Sequence, residues 1–154
     1  KYVDDIVTVN DDEICSAILK LIETQKMIAE GAGAAPLAAV MFNKLPVKGK
    51  KVVCIVSGGN IDVTILSRVI KRGLLMTGRQ QTVCIELQDK PGQLLAVSKI
   101  IADLGANVIS IHHERASEGS DVTGCYLRIV LETKNYEHVR EITNALKDAG
   151  FKLV

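Results

Sequence analysis

From Thr82 to the last residue the apolar positions change period in a fixed order. "TVCIELQ" alternates, with Val83, Ile85 and Leu87 on one face, the period of a half-buried strand. "DKPG" is a turn. Leu94, Leu95, Ile101 and Leu104 then share one helical face up to "LGAN". "NVISIHHER" and "GCYLRIVLET" are two more alternating strands, joined by the polar "ASEGSD". Val139, Ile142, Leu146 and Ala149 mark a second helix, and "FKLV" a final strand. The order β-α-β-β-α-β over about 75 residues defines a ferredoxin-like module.

The stretch before it follows another plan. "YVDDIVTV" is short and β-branched and predicts a strand. Asn10 follows as an N-cap, with Glu13 as its capping-box partner. Ile14, Ile18, Leu21 and Ile22 keep helical spacing to about Thr24, and "KMIAE" has the length of a very short strand. "GAGAAPLAAVMF" predicts a helix of small residues, with Pro36 in its first turn. A helix this poor in side chains must press closely against a neighbour. "KKVVCIV" is apolar at every position from Val52 to Val56, which predicts a strand buried on both faces in a parallel sheet. Ile61, Ile65, Leu66 and Val69 mark the next helix. Residues 1–72 thus alternate strand and helix as in an open α/β sheet, with too few strands to close one alone. "GLLMTGRQ" is the boundary, giving units 1–75 and 76–154. Lys1 runs directly into the first strand with no initiator Met, which suggests a piece of a longer protein.

Composition excludes several classes. The 19 Lys and Arg balance 18 Asp and Glu, and no half is strongly basic, so nucleic acid and an anionic membrane surface are not expected partners. Aromatics are only 3%, which argues against base stacking. No apolar run is long enough to span a bilayer and no signal peptide is evident. Cys15, Cys54, Cys84 and Cys125 form no CxxC pair, and the last three lie in apolar runs as small hydrophobes. His112 and His113 are strand neighbours facing opposite sides. No metal is expected, and nothing indicates an oxidising compartment, so the expected location is cytoplasmic.

The buried run ends at Ser57-Gly58-Gly59-Asn60. Ligands of open α/β sheets bind beyond the carboxyl ends of strands. Three explanations fit the turn. Ser57 or Asn60 could cap the following helix; the turn could cradle phosphate, though the Walker pattern is absent; or a hydroxyl could face a ring nitrogen of a flat cofactor. "VDDIVTVNDDEI", "IAEGAGAAPLAAV" and "KKVVCIVSGGNID", in this order, resemble the C-terminal part of the catalytic domain of threonine dehydratases (threonine ammonia-lyases), pyridoxal-phosphate enzymes of the tryptophan-synthase β fold. "LQDKPGQLLAV" and "GANVISI" resemble an ACT regulatory domain. The implied architecture is a partial open α/β sheet followed by a ferredoxin-like ACT domain.

By this resemblance Ser57 faces the pyridine nitrogen of pyridoxal 5'-phosphate. A neutral hydroxyl leaves that nitrogen unprotonated and the cofactor a weaker electron sink, which suits β-elimination. Glu30 lines the ring's far side, or is simply a helix-start carboxylate favoured by the dipole. Gly31 and Gly58 let backbone approach the ring. The family's Schiff-base lysine, in an SxKxRG context, and its glycine-rich phosphate loop are not in these residues. No catalytic residue is therefore assigned, and the chain alone is expected to be inactive and not to retain the cofactor.

ACT domains pair, so a homo-oligomer is implied, with an amino acid bound where the first loop meets the next subunit. The resemblance places its carboxylate at the N–H groups around Gly92, Gln93 and Leu94, its polar groups at Asp89 and Asn107, and its side chain near Leu94 and Ile109. Asn107 faces that loop in the family. A plain turn also explains "DKPG". The expected effector is isoleucine or valine, and the expected parent activity is deamination of threonine, with serine a second candidate substrate, to 2-oxobutanoate and ammonia. The alternative is a free-standing ACT-type regulatory or assembly module without catalysis.

Overall fold

The computed structural model describes residues 2–115 and 124–154, so the loop expected at "ASEGSD" lies outside the described residues. Its contacts divide the chain into Lys1–Met76 and Thr77–Val154.

The first unit holds three helices, α1 (Asp11–Gln25), α2 (Gly31–Met41) and α3 (Val63–Met76). The capping box forms as the sequence predicts. Asn10 Oδ1 accepts the Glu13 N–H at 3.0 Å, and Glu13 Oε2 accepts the Asn10 N–H at 2.9 Å. Asp11, Asp12 and Glu13 occupy the first turn, where carboxylates oppose the positive helix end. The buried cluster joins Ala17, Ile18 and Leu21 of α1 to Ala34 and Ala38 of α2. Arg72 of α3 grips Asp12 of α1 through Nε and Nη2, at 2.5 and 3.1 Å.

Two expectations fail here, and one of the three explanations of the Ser57 turn falls with them. Residues 2–10, "KMIAE" and 51–60 form no strand among the described residues. Val53 is 91% exposed and Ile55 78% exposed, the reverse of two-sided burial. The reason is physical: a strand exists through its ladder, and every ladder described pairs residues between Gln80 and Leu153. Pro36 is the sixth residue of α2, not part of its first turn. It removes a bond to the carbonyl of Ala32, which sits at an exposed position where water can satisfy it. The start of α3 is capped by neither Ser57 nor Asn60 but by Asp62, whose Oδ1 accepts the Thr64 N–H at 2.7 Å.

The second unit is the expected module: β1 (Gln80–Gln88), α4 (Gln93–Asp103), β2 (Asn107–Arg115), β3 (Gly124–Glu132), α5 (Tyr136–Asp148) and β4 (Lys152–Leu153). Its four strands form one antiparallel sheet in the order β2-β3-β1-β4. Ile85, Leu127 and Ile129 from the sheet pack with Ile101, Ile142 and Leu146 from the helices. The β2–β3 register shifts between Val108 and Ser110, which puts Ile109 in a bulge. His138 is buried; its Nδ1 accepts the Lys134 N–H at 3.1 Å and its Nε2 donates to the Leu104 carbonyl, 2.9 Å away. That tautomer follows from the two partners.

The chain enters this unit through a clamp. Gly78 has φ +65°, and a Cβ there would come within 2.6 Å of the Tyr136 nitrogen. Thr133 Oγ1 donates to the Gly78 carbonyl at 2.7 Å, and the Thr133 N–H donates to the Arg79 carbonyl at 2.9 Å.

Candidate functional site

In the first unit the Ser57–Gly58 turn is locked onto the start of α2. Glu30 is the N-cap of that helix, with no side-chain capping bond. Its N–H donates to the Gly58 carbonyl at 2.9 Å. Its carboxyl group lies across Gly58, where a Cβ would meet Cδ and Oε1 at 2.5 Å. Gly58 has φ +70°, so both backbone and space require glycine. A Cβ on Gly33 would overlap the Ser57 carbonyl. The structure thus brings Ser57, Gly58 and Glu30 together. Gly31 adjoins them in sequence, but a Cβ there would make only ordinary contact with Ile14 Cγ2, 3.7 Å away. The tight position is Gly33, which the sequence signalled only through the poverty of side chains in "GAGAAP".

In the second unit a cavity of about 210 Å³ lies at the end of β1. Asp89, Gly92, Gln93 and Leu94 line it, together with His113 and Cys125. Gly92 has φ +90° with nothing within 4 Å of a Cβ, so the constraint there is conformational, not steric. It is the N-cap of α4 and brings no side-chain cap, leaving first-turn N–H groups to be satisfied from outside the helix.

Asn107 and Ile109 do not join this cavity. Gln88 pairs with Gly124 and Arg115 with Cys125 at one end of the sheet, whereas Gln80 and Asn107 both pair with Glu132 at the other. β1 and β2 therefore run in the same direction on either side of β3. The start of β2 lies roughly 25 Å along the strands from the loop after β1. Asn107 Nδ2 instead donates to Glu132 Oε2 at 3.3 Å. Within one module, then, Asn107 does not face the loop as the resemblance implied.

Residues 1–58 match the family described as pyridoxal-phosphate dependent enzyme, and residues 82–149 match the ACT domain. The chain joins a segment of the pyridoxal-phosphate-dependent enzyme family to an ACT domain. It is 45% identical over 153 residues to an L-threonine ammonia-lyase of Thermotoga maritima, covering 99% of this chain and 38% of that protein. An L-threonine ammonia-lyase of Geobacter sulfurreducens is 40% identical over 149 residues, 97% of this chain and 37% of its own length. An "L-threonine dehydratase biosynthetic IlvA" of Halalkalibacterium halodurans is 34% identical over 153 residues, 99% of this chain and 36% of its own length. The chain thus spans less than two fifths of these relatives.

In the pyridoxal-phosphate family segment Ser57 is exposed, and the half-buried Glu30 carries its carboxyl group across the neighbouring Gly58. Around it the carboxylates serve structure. The Arg72 hydrogen bond holds Asp12 below its ordinary range, Lys44 and the Asn10 N–H hold Glu13 down, and the Thr64 and Ile65 N–H groups do the same for Asp62. Burial first, then Asp12 and Asp11, pushes the Cys15 thiol up, which suits an inert packing role. Neither of these families is carried by a membrane helix here: among the described residues no helix is long and apolar enough to cross one.

Proposed function

We propose that this chain is part of a threonine ammonia-lyase, with residues 1–75 contributing one wall of the pyridoxal-phosphate site and residues 76–154 acting as its amino-acid-binding regulatory domain. The observation that carries this is similarity to an L-threonine ammonia-lyase along 99% of the chain. The net reaction removes ammonia from threonine to give 2-oxobutanoate: the β-hydroxyl and the α-proton leave as water, and a water then displaces the nitrogen as ammonia and becomes the keto oxygen; serine is the natural second substrate to try. When bound, pyridoxal phosphate supplies the electron sink for that elimination. Ser57 holds the ring nitrogen through a neutral hydroxyl, and Glu30 limits the far side of the ring. Gly33 and Gly58 allow the Ser57 turn and Glu30 to approach this closely, because a Cβ at either position would clash. In the complete enzyme Ser57→Ala should slow turnover by a factor corresponding to about 1–3 kcal/mol, the usual cost of an unpaired buried polar group. Unchanged turnover would remove Ser57 from the site. This chain alone should give no visible absorbance band with added pyridoxal phosphate. Free thiols at Cys15, Cys54, Cys84 and Cys125 support the cytoplasm as the proposed location.

The regulatory half of the proposal is a branched-chain effector, isoleucine or valine, held between two copies of the ACT domain. Support comes from the uncapped start of α4, whose N–H groups suit a carboxylate. Leu94, 43% exposed, offers apolar surface beside it. Asp89 from one copy would meet the ligand, and Asn107 and Ile109 would come from the second copy, since one module keeps them at opposite ends of its sheet. Calorimetric titration of the chain with isoleucine, valine, serine and threonine decides this. Binding should be lost in both Gly92→Asp and Asn107→Ala. Intact binding in either variant, or no binding of any of the four at millimolar concentration, refutes the shared site.

A further inference from the structure

We propose that Asp89, His113 and Cys125 form a binding site for a borderline-soft divalent cation, zinc by preference, in the wall of the ACT-domain cavity. One carboxylate oxygen, one imidazole nitrogen and one sulfur lie within 4.8 Å of one another. His113 Nε2 and Asp89 Oδ1 are 3.9 Å apart. A tetrahedral ion with donors at about 2.0–2.3 Å needs them roughly 3.3–3.8 Å from each other, so closure asks for movements of about an ångström.

The sheet itself assembles the trio. Leu87 of β1 pairs with Cys125 of β3, and Asp89 follows Leu87 by the two residues that return a strand to the same face. Leu127 of β3 pairs with His113 of β2, so His113 shares that face one step along from Cys125. Two strands and the residue just past the end of a third thus deliver three different donors to one end of one face. Cys125 is 2% exposed and forms the floor, while Asp89 and His113 stand at the solvent side, which gives an ion its entry.

The donor set chooses the ion. A thiolate disfavours calcium and magnesium, whereas sulfur, imidazole and carboxylate together suit zinc. On binding, Cys125 releases its Sγ proton to solvent, and the two anionic donors with neutral His113 offset the 2+ charge. Three protein ligands leave a fourth tetrahedral position for water or for a donor from the cavity. Without metal, the half-exposed Asp89–His113 contact is a weak surface pair.

The test uses the intact chain with cobalt(II) as a spectroscopic stand-in, and needs no amino-acid effector. One cobalt per chain should bind with tetrahedral visible bands and a sulfur-to-cobalt charge-transfer band, be displaced by zinc and resist magnesium. Asp89→Asn and His113→Gln should each weaken binding at least about tenfold, the scale on which altering a metal's surroundings acts. Cys125→Ser should lose the charge-transfer band. Because Cys125 lies in the core, circular dichroism checks its fold, and the solvent-side His113→Gln carries the result by itself. His112→Gln, on the opposite face, should bind like the parent chain. Absence of a saturable tetrahedral spectrum, or a spectrum that survives His113→Gln, or equal losses in His112→Gln and His113→Gln, overturns the site.

Discussion

Gly33→Ala sets two well-understood effects against each other. Gly33 is the third residue of α2, where alanine is favoured over glycine by about 1 kcal/mol on helix propensity. The structure opposes this. The added Cβ would overlap the carbonyl of Ser57, a backbone atom that cannot rotate away as a flexible side chain could. Overfilling a packed site costs about 1–3 kcal/mol. Moving Ser57 also stretches the 2.9 Å bond from the Glu30 N–H to the Gly58 carbonyl, a bond of the kind worth about 1 kcal/mol. The net expectation is destabilisation by about 1–3 kcal/mol. Gly31→Ala is the internal control: it gains the same propensity, and its Cβ meets only Ile14 Cγ2 at 3.7 Å. Peptide-resolved hydrogen exchange across α2 should show Gly33→Ala opening more readily than the parent and Gly31→Ala the same or less readily. If both variants protect α2 equally, the close approach of α2 to the Ser57 turn is wrong.

Two further perturbations address other parts of the chain. Asp12 and Glu13 have folded pKa values depressed by Arg72 and by Lys44, so their contribution is complete above the unfolded carboxylate range, about pH 4, and is lost as pH falls through the lower folded values. Acid unfolding of Asp12→Asn should therefore differ from the parent at neutral pH and converge with it in strong acid; curves that stay parallel refute the pairing. His138→Ala leaves the Leu104 carbonyl and the Lys134 N–H without their partner and opens a cavity, so the second unit should lose at least about 1–3 kcal/mol in urea unfolding; an unchanged midpoint would contradict the bridging role.

The second unit was legible because each of its elements carries its own period and buries one face within the same 75-odd residues, as Val83, Ile85 and Leu87 do opposite Ile129 and Leu127. The first unit was legible only where local chemistry decides: Asn10 and Glu13 close their capping box without help from afar. "KKVVCIV" was not, since its composition describes a strand with neighbours on both sides and no described residue pairs with it. Asp62 displaced Ser57 and Asn60 as cap because helix α3 starts two residues later than the apolar spacing suggests. Glu30 and the Ser57–Gly58 pair belong to two separate motifs, and the fold brings them together. Asp89, His113 and Cys125 were invisible as a group: their spacing matches no metal motif, and only the strand register makes them neighbours.

The clamp at Gly78 ties the lead-in of β1 to a distant corner of its own unit. Met76 ends α3 and Gln80 begins β1, so three residues separate a helix from a strand. Of these, Gly78 and Arg79 have their carbonyls committed to Thr133, at the corner where β3 turns into α5. The lead-in of β1 therefore shares the fate of that corner: opening Thr133 releases both carbonyls in one event, so the two stretches, more than fifty residues apart in sequence, should exchange their amide hydrogens together.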